Sequence, residues 1–245
     1  MPWWNFGVIT QAIWPSEQKE IEYGGRKLVL MPMTRDNFAS IHVEMSGLSS
    51  VEAMTLINRF LSALAWKCDE PAFCTGGWGG NPMPVPVQRH DRRLGYSPSS
   101  FYPEYLVEIS DDKAKLAIAL YREGLSLESI PYKFLSFFKI LNIFWKDKTI
   151  NNENLIITEL RHYLYRIDNE EAIKRVTYIS DKFGDAAQYL YKSGRCAVAH
   201  AYIDPIVDPD DISDSHRLSE DMCVVKCVAK NLIKEKFKIE QSIFT

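Results

Sequence analysis

Nothing in this 245-residue sequence is long and apolar enough to cross a membrane as a helix. Its most apolar stretch, Phe134 to Trp145, is broken by Ser136, Lys139 and Asn142, where a span needs roughly 18 consecutive apolar residues. The opening residues, Met1-Pro2-Trp3-Trp4-Asn5-Phe6, lack the positive region, apolar run and small-residue cleavage site of a secretory signal. A cytoplasmic protein without a membrane partner is expected. There is no excess of positive charge: 29 Lys and Arg stand against 32 Asp and Glu, a net charge of −3. Neither half on either side of Asp111 is basic, which excludes a purely electrostatic nucleic-acid binder.

Cysteine is sparse and unpatterned. The five, Cys68, Cys74, Cys196, Cys223 and Cys227, are odd in number and lack the paired spacing of a zinc site or a secreted disulfide framework. Cys223 and Cys227 can share a helix face, either as metal ligands or as small core residues; the absence of a second pair favours the core. No metal and no cofactor is expected. The Lys-Ser/Thr ending of a phosphate loop and the Gly-x-Ser-x-Gly elbow are also missing.

A 46% hydrophobic content suffices for a real core, in one large domain or two small ones. Residues 1–110 read as an α+β domain. Lys19 to Tyr23, Gly24-Gly25, then Arg26 to Met31 form a hairpin pattern, glycine supplying the positive φ of a primed turn. Further strands are expected at Val8 to Trp14, Ile41 to Met45 and Tyr105 to Ile109. Ser49-Ser50-Val51-Glu52 has capping-box spacing, and Met54, Ile57, Leu61, Leu64 and Ala65 follow at helical intervals. Gly76-Gly77-Trp78-Gly79-Gly80 and Pro82, Pro84 and Pro86 then predict a long surface loop.

That loop enters the densest basic stretch, Gln88 to Arg93, with Trp78 and Tyr96 nearby. Arg89, Arg92 and Arg93 are candidate RNA-backbone contacts; the competing reading is a solvated loop.

From Asp111 onward the periodicity is helical. Stripes run through Leu116 and Leu120; through Leu127, Ile130, Phe134, Phe138, Leu141 and Trp145, with Pro131 tolerated in a first turn; through Ile156, Leu160, Leu164 and Ile167; through Phe183, Ala187, Leu190 and Tyr191; and through Leu218, Met222, Val225, Ala229 and Leu232. Ser219-Glu220-Asp221 suits the start of the last helix and Lys230, Lys234 and Lys236 its end. Short connections between such helices imply an antiparallel bundle over residues 111–245.

Late in this bundle lies Tyr189-Leu190-Tyr191-Lys192-Ser193-Gly194-Arg195-Cys196-Ala197-Val198-Ala199-His200. An arginine, four residues and a histidine, placed after an aromatic-rich helix and before a final one, resembles the HEPN family of RNA-associated helical domains. The resemblance implies an all-α HEPN-like bundle, a homodimer through it, RNA as partner, and metal-independent RNA cleavage in active members. His200 would be the acid/base and Arg195 the phosphate clamp. The residue types suit that work: an imidazole titrates near neutrality, and a guanidinium holds a phosphate in a bidentate fork. On a straight α-helix residues five apart diverge by about 140°. Either a helix begins between the two, as Gly194 would allow, or a second protomer supplies one of them.

Two departures from the family pattern stand beside this. Active members usually carry a polar residue after the arginine, where this chain has Cys196. Asp204, Asp208, Asp210, Asp211 and Asp214 follow closely and would repel RNA unless folded away. They do not match an EF-hand, because Ile212 and Ser219 fall on ligand positions. Three readings stay open: a catalytic site, a noncatalytic RNA-binding or protein-interaction module, and a structural role in which Arg195 pairs with a loop aspartate.

Ala12 to Glu17, Leu56 to Trp66 and Gly194 to Pro209 together resemble the MauJ proteins of methylamine-utilisation gene clusters. This implies association with bacterial amine metabolism or its regulation; a noncatalytic accessory protein with a protein partner is the alternative expectation. His42, His90, His162 and His216 have no sequence-near catalytic partner and read as structural or exposed.

Overall fold

A computed structural model describes residues 1–89, 106, 108–145, 153–200, 207–208 and 211–239. The chain forms two compact units that divide between Ser126 and Leu127. The first is an antiparallel sheet with helices, the second is all helical, as the change of periodicity implies.

The sheet contains β1 (Trp3–Thr10), β2 (Lys19–Tyr23), β3 (Arg26–Met31), β4 (Ala39–Glu44) and β5 (Ala72–Asn81), in the order β2-β3-β4-β1-β5. The hairpin forms as expected: Tyr23 pairs with Arg26, and Gly24 and Gly25 take φ of 58° and 68°, the left-handed values that primed turns require. Helix α1 (Ser50–Cys68) begins with the expected capping box, Ser49 and Glu52 each bonding the other's backbone N–H. Its Ile57, Phe60, Leu61 and Leu64 bury against Phe6, Val8, Leu28, Leu30, Ile41 and Val43. Trp14 is wholly buried, and its indole N–H donates to the Met31 carbonyl at 2.9 Å.

Two strands depart from the sequence expectation. β1 begins at Trp3 and ends at Thr10 rather than running from Val8 to Trp14, and Leu106, Glu108 and Ile109 form no strand. The larger correction is β5. The glycine-rich segment is not a loop as far as Asn81, because it pairs along β1 as an edge strand. Its glycines make room for aromatic rings on β1. A Cβ on Gly77 would lie 2.3 Å from the Phe6 ring and 2.4 Å from the Asn5 carbonyl oxygen, and one on Gly79 would lie 2.4 Å from the Trp4 ring. The rings thus cover glycine positions that have no side chains of their own, the arrangement by which aromatics offset the weakness of glycine in sheets. Gly77→Ala is therefore expected to destabilise the sheet unit by about 1–3 kcal/mol, the usual range for overpacking. A urea titration followed by tryptophan fluorescence measures it.

Helix α2 (Asp112–Ser126) packs on α1 and falls in the first unit, so the division lies 16 residues later than the expected one at Asp111. Its buried face is Ala114, Ala117, Ile118 and Tyr121, while Leu116 is half exposed. The Tyr121 hydroxyl donates to Asp69 at 2.5 Å and its ring meets Trp66 edge-on. These partners lie some fifty residues away, so the periodicity of α2 alone did not disclose which unit it joins.

The second unit contains α3 (Ile130–Trp145), α4 (Glu153–Leu164), α5 (Glu170–Phe183), α6 (Ala186–Tyr189), a π-helical turn (Leu190–Cys196), α7 (Ala197–Ala199) and α8 (Ile212–Phe237). Helix α3 buries Phe134, Phe138, Leu141 and Trp145 as expected, with Pro131 in its first turn. The stripe from Phe183 to Tyr191 is not one helix. Gly184, with φ of 85°, ends α5, and the Asp185 carboxylate accepts from the N–H groups of Ala187 and Gln188 to start α6. Helix α8 begins at Ile212, not near Ser219, with Asp211 as its cap. Among the described residues no helix is long and apolar enough to cross a membrane.

Candidate functional site

The segment that carries Arg195 and His200 is shaped by α3. Gly194 lies against Phe134, where a Cβ would sit 2.4 Å from the ring, and Tyr191 meets Phe138 with centroids 6.2 Å apart. Held on this aromatic surface, Leu190 to Cys196 winds as a π-helix, whose i→i+5 bonds are rare and recur at functional positions. The chain then makes the short α7 and leaves the helix at His200, where φ and ψ are −134° and 120°.

This exit answers the geometric objection to the motif. The π-helical turn gives way to α7 at Ala197, between the two residues, and no second chain is needed to bring them together. The wider turn and the extended backbone at His200 place the Arg195 Nη1 3.4 Å from the His200 Nε2. A guanidinium has no acceptor, so it donates and the imidazole Nε2 offers its lone pair. The same Nη1 lies 3.6 Å from the Cys196 Sγ, and the Arg195 guanidinium stands over the Tyr191 ring at 5.6 Å. Both motif side chains are half buried, neither sealed in the core nor fully in solvent. The backbone N–H of His200 bonds the Cys196 carbonyl at 3.0 Å, and that of Val207 bonds the Ala197 carbonyl at 3.3 Å.

Of the five loop aspartates, Asp204 and Asp210 lie outside the described residues. Asp211 caps α8 through the N–H of Ser213, and Asp214 accepts from the N–H of Asp208 and pairs with Arg217 at 3.3 Å. These two carboxylates are thus committed to the start of α8. Hydrogen bonds from the Ser213 side chain and then from its backbone N–H hold Asp211's carboxyl below the usual carboxylate range.

Arg89 belongs to the sheet unit. Its N–H bonds the Asp36 carbonyl at 2.8 Å, and its guanidinium contacts the Met33 sulfur at 3.5 Å and stands over Phe38. Arg92 and Arg93 lie outside the described residues, as does His90. His162 meets Tyr163 edge-on, and His216 is exposed 3.5 Å from Glu220. Cys223 and Cys227 are half buried, and burial pushes both thiols up, Cys223 to about 11. Among the described residues no three or more His, Cys, Asp or Glu are placed to hold a metal.

Two polar networks escaped the sequence. In the sheet unit, alternation along β4 sends Ser40 and His42 to the face opposite α1, and register sets His42 across from Asn5. The Asn5 oxygen accepts from the Val85 N–H at 3.0 Å, which fixes its amide orientation. His42 Nδ1 at 2.9 Å must then donate to it, leaving Nε2 to accept from the Ser40 hydroxyl at 2.9 Å. The order hydroxyl, imidazole, amide has the distances of a nucleophilic triad. All three side chains are wholly buried, however, and none lines a described cavity. The array serves to hold the chain after β5 against the sheet.

Burial lowers the His42 pKa from 6.5 to about 4. The unfolded chain takes up this proton first, so stability rises with pH across that interval. Stability is full above about pH 6.5 and is lost as pH falls toward 4. The loss should reach about 3 kcal/mol, at 1.36 kcal/mol per pKa unit, and His42→Gln should flatten the dependence in urea titrations between pH 7 and pH 4.5.

In the helical unit, Asp221 of α8 is wholly buried yet pairs with Arg175 of α5 at 2.8 Å. Burial raises its pKa while Arg175 and then Arg217 oppose the rise. Arg175 also pairs with Glu220 at 2.6 Å, and Arg217 donates to the Ser193 carbonyl at 2.9 Å. The last bond ties α8 to the π-helical turn two residues before Arg195. Only the spacing of Asp214, Arg217 and Asp221 along one helix face hinted at this network in the sequence.

Residues 117–234 match the family model described as methylamine utilization protein MauJ. The matched span runs from α2 into α8 and includes Arg195 and His200; β1 to β5 lie outside it. Comparison with curated proteins and with solved structures yields no match.

Proposed function

We propose, for a chain similar to MauJ over residues 117–234, that the helical unit is HEPN-like and acts on RNA as a metal-independent endoribonuclease. The supporting observation is the approach of Arg195 Nη1 to His200 Nε2 within 3.4 Å on a half-buried turn. In this reading Arg195 gives up its bond to the His200 Nε2, and that lone pair takes the proton of a ribose 2′-hydroxyl. The 2′-oxygen attacks phosphorus, a new P–O2′ bond forms, the P–O5′ bond breaks, and the 5′-oxygen leaves with a proton from a general acid. Arg195 exchanges its imidazole contact for the phosphate oxygens, where charge develops. Two such sites paired in a homodimer would supply a base and an acid from the two copies of His200. Arg92 and Arg93 are candidate backbone contacts for the RNA. Arg89 is a weaker one, since its guanidinium already rests on Phe38 and Met33.

RNA of mixed sequence incubated with the full chain in EDTA tests the reading. Cleavage by wild type, lost on His200→Ala, supports it, and wild type as inert as the variant contradicts it. A second reading has a specific observation behind it. The family match and Cys196, a poor hydrogen-bonding residue beside the arginine, favour a noncatalytic accessory protein of methylamine utilisation that binds RNA or a protein partner.

A further inference from the structure

Beside the motif, α5, α6 and the start of α8 enclose a cavity of about 440 Å³, within the ~300–1,000 Å³ common for ligand sites. Two aromatic rings at its mouth, Tyr178 and Phe183, are 47% and 48% exposed, a costly placement for large side chains unless something covers them. Phe183 is already half of a stack, lying parallel to the Tyr189 ring at 4.5 Å with an interplanar angle of 16°. The rest of the ring reaches solvent beside the flexible Lys182 side chain. Lys182 hangs over both rings, 5.5 Å from the Tyr178 centroid and 5.2 Å from that of Phe183, and donates to the Tyr178 hydroxyl at 3.1 Å.

Charge narrows the occupant. Glu220, the carboxylate in the cavity lining, and the buried Asp221 behind it pair with Arg175, and Asp214 pairs with Arg217. Lys182 has no carboxylate partner among the described residues. The mouth therefore offers aromatic surface beside an ammonium in contact with no carboxylate among the described residues, with the Arg175 guanidinium over the Tyr178 ring at 4.8 Å and apolar Ile212, 81% exposed, as further walls. A planar, hydrogen-bonding group attached to an anion fits these features, which is the chemistry of a nucleotide in a single strand. The Arg217 bond to the Ser193 carbonyl links the lining of this cavity to the turn that carries Arg195.

We infer that the groove is a base-stacking subsite for single-stranded RNA, in which an unpaired base extends the Phe183–Tyr189 stack beside Tyr178 and a neighbouring phosphate meets Lys182. The inference rests on the RNA reading of Arg195 and His200 and names the form of substrate that reading leaves open.

The test is anisotropy titration of the full chain with a fluorescent 12-nucleotide, single-stranded 2′-O-methyl RNA, which lacks the attacking hydroxyl and cannot be consumed. Stacking contributes about 1–3 kcal/mol per base, so Tyr178→Ala and Phe183→Ala should each weaken binding by about five- to a hundredfold. Phe183→Trp should retain affinity and Phe183→Leu should not. Tyr132→Ala, an exposed aromatic on α3, should bind like wild type. Should Phe183→Ala fail to fold, Tyr178→Ala and the leucine–tryptophan comparison still decide. Dissociation constants within twofold of wild type for the Tyr178 and Phe183 variants would overturn the subsite, as would a wild type that binds no RNA, including one that binds only a protein partner. The two readings fail separately. Binding that depends on Phe183 in a protein that cleaves nothing removes the ribonuclease and leaves the groove. Cleavage with an unchanged KM in Phe183→Ala removes the groove and leaves the ribonuclease.

Discussion

In the proposed ribonuclease, replacing His200 with alanine is expected to lower the rate of RNA cleavage about 10²- to 10⁴-fold, the usual contribution of a positioned acid/base, while stability falls only by about the 0.5–1.5 kcal/mol of a lost hydrogen bond to Arg195. The second half of that expectation follows from where His200 sits. Its backbone N–H, not its ring, bonds the Cys196 carbonyl, and the residue ends α7 in extended backbone that alanine also adopts. Arg195→Lys keeps the charge and loses the fork, so its loss should fall mainly on kcat. The same variant forfeits the planar packing over Tyr191, and thermal melts of both proteins separate that packing cost from the chemistry. A His200→Ala protein as active as wild type would remove the imidazole from the mechanism.

The second large effect concerns stability. Asp221→Ala strips Arg175 and Arg217 of a shared, wholly buried carboxylate. Removing one partner of a buried pair costs about 3–5 kcal/mol, and the bonds that Arg175 keeps to Glu220 and Arg217 keeps to Asp214 put this loss at the lower end of that range. Set against a typical total of about 5–15 kcal/mol, that leaves the helical unit marginal. Urea denaturation monitored by helical circular dichroism should show the midpoint fall sharply. Replacing both members with apolar residues, Arg175→Met with Asp221→Leu, should recover much of the loss, since well-packed apolar substitutes often match a buried ion pair. A single variant as stable as wild type would mean that the network adds nothing to the fold. Because Arg217 also holds the Ser193 carbonyl, partial loss of RNA cleavage is expected in Asp221→Ala before the unit unfolds.

What the sequence disclosed was local. Gly24-Gly25 set a hairpin, Ser49 and Glu52 set a capping box, and the stripe from Phe134 to Trp145 set α3, because each depends on residues within a few positions of one another. What it withheld depends on partners far along the chain. Gly77 and Gly79 look like loop residues until Phe6 and Trp4 are laid across them from a strand seventy residues earlier. Asp221 looks like the acidic start of a helix until Arg175 arrives from α5. The same holds at the candidate site. The spacing of Arg195 and His200 was legible, but an α-helix would have turned them apart, and the π-helical turn that reunites them arises from Gly194 packing on Phe134. The groove at Tyr178 and Phe183 was hidden because helix α5 has its own periodicity, broken from that of α6 at Gly184.

The most direct test of the central claim reads the chemistry at the ends of the cut. RNA treated with the full chain in EDTA should yield fragments ending in a 2′,3′-cyclic phosphate and beginning with a 5′-hydroxyl, since the proposed mechanism makes the 2′-oxygen the nucleophile, activated by His200. Intact RNA, or fragments bearing 5′-phosphate and 3′-hydroxyl ends, would contradict the role assigned to Arg195 and His200.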